Sequence, residues 1–91
     1  MNTYIALSSM SLDLKRCAIG YHRGSTAMAQ KFSEEAVKRG KDINPNYLKP
    51  YLKRLLAEVK SLDRIEDNQA KAEKALLLSI LFQNAALNIS R

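Results

Sequence analysis

The sequence holds no tryptophan, one cysteine, two prolines and three glycines in 91 residues. The single thiol, Cys17, has no partner within the chain, which excludes a small disulfide-stapled scaffold. So few glycines and prolines leave little turn material for a multi-stranded sheet. Long apolar runs are also missing. The greasiest stretch, 75–82, falls far short of the about 20 residues that cross a bilayer, so no membrane partner is expected. The apolar start lacks a basic leader and is soon interrupted by Asp13, Lys15 and Arg16. A signal peptide is therefore not expected, and the cytoplasm is the expected location.

The groups that most chemistry requires are sparse as well. His22 is the only histidine, and the sequence sets no carboxylate or nucleophile beside it. Gly20 and Gly24 match neither a dinucleotide fingerprint nor a P-loop. Cys17 and His22 point to different sides of a helix, whereas structural zinc takes four ligands. Glu34, Glu35, Asp63, Glu66 and Asp67 lack calcium-loop spacing and read as caps or solvated positions. No catalytic residue, metal ligand or cofactor is expected, and the chain does not read as an enzyme.

Helical periodicity fills the sequence. Leu7, Met10, Leu14, Ala18, Tyr21, Ser25, Met28, Phe32 and Ala36 recur at steps of three and four, the spacing of one helix face. Arg16, Arg23, Lys31, Glu34 and Lys38 fall opposite. The stripe keeps its phase across Gly20 and Gly24, so one long helix is expected, bent there or approached closely by another backbone. Lys38, Arg39 and Gly40 form a helix-end signature. A joint over 40–46 follows, with Asn44 or Asn46 as a cap. Leu48, Leu52, Leu55, Val59 and Leu62 make the next face, with Pro50 confined to its first turn. Asp63 and Glu66 resemble a capping box before a last helix running to about Leu87.

That last helix is apolar nearly all round. Leu76, Ile80 and Leu87 share one side, Leu77 and Leu81 a second, and Leu78, Phe82, Ala85 and Ile89 a third. A helix of this kind must be covered on most sides, more than a three-helix monomer provides. The fold expected is a single all-α domain over 1–91. It is a small three-helix bundle whose first helix is long and bent at Gly20–Gly24, completed by oligomerisation as a homodimer or by another protein. Leu77, Leu78, Leu81, Phe82 and Ala85 are the candidate oligomer interface.

Two other functions compete with such an interaction module. Net charge is +6, which favours polyanions without specificity. Lys49, Lys53, Lys60 and Arg64 would share a narrow arc of a helix starting near Leu48, with Tyr47 and Tyr51 near its start. These are candidate nucleic-acid contacts. Acids at Glu58, Asp63, Glu66 and Asp67 dilute the stripe, and the joint over 40–46 is too long for a helix-turn-helix. Lysines snorkelling from a solvated face explain the pattern with less. Secondly, Tyr21-His22-Arg23-Gly24-Ser25-Thr26 resembles histidine phosphotransfer domains, helical bundles with a His-x-x-Lys-Gly-Ser pattern. The resemblance would make His22 a phosphoryl carrier. Here the cation follows by one residue and the glycine by two, which puts both at a different angle on the helix. A surface histidine beside a glycine fits the spacing better.

Overall fold

The computed structural model describes residues 2–44, 46 and 48–89. It is all-helical, with four helices: α1 (Thr3–Arg23), α2 (Thr26–Lys41), α3 (Pro50–Lys60) and α4 (Asn68–Ile89). A 3-10 turn, Leu62–Arg64, precedes α4.

Each boundary has a local cause. Asn2 caps α1, its Oδ1 accepting from the backbone N–H of Tyr4 at 2.7 Å. The expected long first helix is two helices instead, because α1 stops at Gly24. Gly24 takes φ 79°, ψ 11°, the left-handed conformation that only glycine adopts without strain. The Ser25 N–H then closes back on the Gly20 carbonyl at 2.8 Å, the hydrogen bond of a glycine-terminated helix. Phase therefore resets: Ser25 lies exposed, and the inner face of α2 is Ala29 and Ala36, with Phe32 packed against the core. Gly20 serves the close approach. A methyl group there would sit 2.8 Å from the Ala29 backbone nitrogen, so its missing side chain lets the first turn of α2 cross α1.

The joint after α2 also differs from expectation. Neither Asn44 nor Asn46 caps α3; the Asn44 Oδ1 accepts from the Asn46 N–H at 3.0 Å, ahead of that helix. Lys49 is the N-cap of α3 and Pro50 occupies the first turn, where its absent N–H costs nothing. Before α4 the cap is Asp67 rather than the expected Asp63. The Asp67 carboxylate accepts from the Ala70 N–H at 3.2 Å, while Asp63 lies in the 3-10 turn.

The α1 and α4 helices, of 21 and 22 residues, are each about 32 Å long at 1.5 Å per residue. They span most of the 36 Å long axis. They run antiparallel, since Ser11 on α1 donates its hydroxyl to the Ser79 carbonyl at 2.7 Å and Ala18 lines a groove with Ala72. Small residues hold the pair close: Ser11, Ala18, Ala72, Ala75 and Ser79 are all buried. Leu7, Met10, Leu14, Cys17, Leu78 and Phe82 fill the centre, closed by Leu52 and Val59 of α3 and by Leu62. Each fully buried side chain of this size stabilises the fold by about 2 kcal/mol.

One polar pair sits inside. Asp13 occupies the core side of α1 with its side chain 5% exposed, and Arg39 of α2 donates Nε–H to its Oδ2 at 2.7 Å. At the other end, Lys74 of α4 reaches Glu58 of α3 at 2.8 Å. These two bridges tie α2 and α3 to the long antiparallel pair.

Candidate interaction surfaces

The expected oligomer interface divides between core and surface. Leu78, Phe82 and Ala85 are enclosed by the chain's own helices. They form the inward stripe of α4 against α1 and are not available to a partner. Leu81 is partly covered, and Leu77 is half exposed on the side of Lys74 that meets α3. The exposed apolar line of α4 is instead Leu76 and Ile80, 46% and 47% exposed, continued toward Leu87. On α1, Ile5, Leu12 and Ile19 stand at steps of seven and are also exposed, Leu12 at 47% and Ile19 at 39%. The two lines converge: Ile19 and Leu76 line one open groove of about 510 Å³ between α1 and α4, with Lys15, His22, Arg23, Gln69 and Glu73 around it. The sequence grouped Leu76, Ile80 and Leu87 on one side correctly. Spacing alone does not decide which of three apolar sides faces α1, and the regular buried stripe of α1 masks its outer Ile5-Leu12-Ile19 line.

The candidate nucleic-acid residues are only partly brought together. Lys49, the N-cap of α3, and Lys53 and Lys60 on the helix itself are exposed. Arg64 is exposed but lies outside α3, which ends at Lys60, in the 3-10 turn that follows. In its place comes Lys41, from the last turn of α2, which lines a groove with Lys53 and Lys60. Tyr47 lies outside the described residues. Tyr51 is exposed in the first turn of α3.

His22 is exposed beside Arg23 at the C-terminal end of α1. Among the described residues no group of three or more His, Cys, Asp or Glu is placed to hold a metal ion. Cys17 is buried under α1, and burial pushes its thiol up to about 11, with Lys71 pulling slightly the other way. Burial likewise raises the Tyr21 phenol, helped by Cys17 and Asp63, while the Lys71 ammonium stacks 5.2 Å from its ring. These groups stay neutral at ordinary pH and pack as core. No helix among the described residues is long and apolar enough to cross a membrane.

No protein-family model, curated protein or solved structure matches this chain.

Proposed function

We propose that the chain is a non-enzymatic helical interaction module that pairs with a second copy of itself through the α1–α4 face. The observation that carries this reading is the exposure of Leu12, Ile19, Leu76 and Ile80 on the two longest helices, with Ile19 and Leu76 sharing a groove. At roughly 80 Å² apiece, these four offer about 300 Å² of apolar surface, on the scale of the largest patch of a single chain, which is often functional. A standard interface covers about 800 Å² per partner, with an apolar centre and a polar rim. Lys15, His22, Arg23, Gln69 and Glu73 supply such a rim. A twofold axis over the face stacks one antiparallel helix pair on another, which is a four-helix seam.

Light scattering on the whole chain at about 100 µM, a concentration where even weak dimers form, tests this reading. The expected mass is twice 10.3 kDa, falling to one chain when Leu76→Lys and Ile80→Lys are combined. A single-chain mass for the unaltered protein at that concentration removes the proposal. A basic nucleic-acid-binding regulator is the less supported alternative, because Glu58, Asp63, Glu66 and Asp67 dilute its basic stripe.

A further inference from the structure

The α2 and α3 helices touch only sparingly. Three adjoining grooves run between them, and Lys41 and Lys60 line all three. The result is one trough. Its floor is aliphatic: Val37 and Leu56 are half-buried there, and Gly40 contributes no side chain. Lys41 stands on the α2 wall, and Lys53 and Lys60 on the α3 wall. None of these three lysines is in an ion pair among the described residues. Lys38 joins at the far end, 3.9 Å from Glu35. Glu34 and Asp63 also line that end, so the uncompensated charge lies toward Lys53.

We infer that this trough receives an acidic amphipathic helix from a partner protein, its apolar ridge over Val37 and Leu56 and its carboxylates against Lys41, Lys53 and Lys60. Two helices that touch sparingly, meeting where Leu56 packs against Gly40, leave a surface groove that a third fills by ridge-and-groove packing. Lysines on both walls select a segment with acids on both flanks of its ridge. Nucleic acid is the poorer match. An aliphatic floor gives a phosphodiester nothing. Among the described residues no arginine lines the trough, and the one aromatic that does, Tyr21, is buried with Lys71 already against its ring. No residue lines both this trough and the α1–α4 groove, so its occupancy is independent of self-association.

Fluorescence anisotropy tests the inference with three labelled probes. The first is a peptide of about 16 residues carrying leucines at i, i+3, i+4 and i+7 flanked by glutamates. The second is a scrambled isomer of the same composition, and the third a duplex DNA of about 20 base pairs, long enough to cover the whole face. The amphipathic peptide is expected to bind saturably and at least about tenfold tighter than its isomer, because only it presents a ridge to the floor. Lys41→Gln with Lys53→Glu, both at exposed positions and neither setting a carboxylate at a helix C-terminus, is expected to weaken it by about tenfold or more. The inference is overturned if the peptide fails to bind at low salt. Equal binding of the isomer overturns it too, as does tighter binding of the duplex with the same lysine dependence, which would make the surface a nucleic-acid site.

Discussion

Replacing Arg39 tests whether the α1–α2 pair is held by the bridge to Asp13. Arg39→Met keeps the aliphatic stem and removes the guanidinium. The Asp13 carboxylate, 5% exposed, then loses the donor at 2.7 Å that satisfies its Oδ2. Breaking a fully buried pair from one side costs about 3–5 kcal/mol. Arg39 is itself one-third exposed, so water reaches the site, and the discounted cost is about 2–3 kcal/mol. A domain of this size holds only about 5–10 kcal/mol in all, and each kcal/mol moves Tm by about 4–8 °C. Urea unfolding followed by helical circular dichroism should therefore show a clearly lower midpoint at unchanged slope. The double variant Asp13→Leu with Arg39→Met should recover most of the loss, because no charge is left stranded. A loss below about 0.5 kcal/mol in Arg39→Met, the size of an ordinary surface change, would refute the reasoning. So would a double variant no better than the single one.

Other outcomes follow from the same contacts. Gly20→Ala gains helix propensity worth about 1 kcal/mol, yet its methyl meets the Ala29 backbone at 2.8 Å; net destabilisation of about 1–2 kcal/mol is expected in urea melts. Gly24→Ala has open space around it but a φ of 79°, so about 1–2 kcal/mol is lost there through backbone strain alone. Cys17 should resist thiol reagents at pH 8 until the chain unfolds, because its folded thiol ionises only near pH 11. The unfolded thiol ionises near 9. The unfolded chain therefore holds fewer protons above that pH, and stability should fall between pH 9 and 11, with part of the fall abolished in Cys17→Ala.

The helices were legible because their evidence is local. Leu7, Met10, Leu14 and Ala18 mark the inner side of α1 by spacing alone, and Pro50 marks the first turn of α3 from within it. The division at Gly24 was hidden by coincidence. Phe32 and Ala36 continue the α1 stripe in sequence, so periodicity alone could not separate one helix from two that turn. A positive φ is a choice that glycine permits but does not announce. The trough and the Asp13–Arg39 bridge depend on how α2 folds back, which joins residues 26 positions apart. No spacing rule points from Asp13 to Arg39 or from Lys41 to Lys53. The surplus of apolar surface on α4 is visible from composition around the helix, but which of its sides faces α1 is not: of the expected interface Leu77 is exposed, while Leu78, Phe82 and Ala85 are buried. Leu78, Phe82 and Ala85 and the line through Leu76 and Ile80 are equally greasy, and only the position of α1 tells them apart.

The proposed pairing through the α1–α4 face puts Ile80, 47% exposed beside Leu76 on α4, into the seam. Burying its exposed half contributes about 1 kcal/mol per copy, hence about 2 kcal/mol in a twofold dimer, or roughly thirtyfold in Kd. Sedimentation equilibrium on the unaltered chain, Ile80→Lys and Tyr51→Lys measures that difference directly. Tyr51, on α3, is a comparably exposed apolar residue away from the face. Dimer weakening of at least about thirtyfold in Ile80→Lys alone is the predicted result. Equal weakening by both substitutions, or by neither, contradicts it.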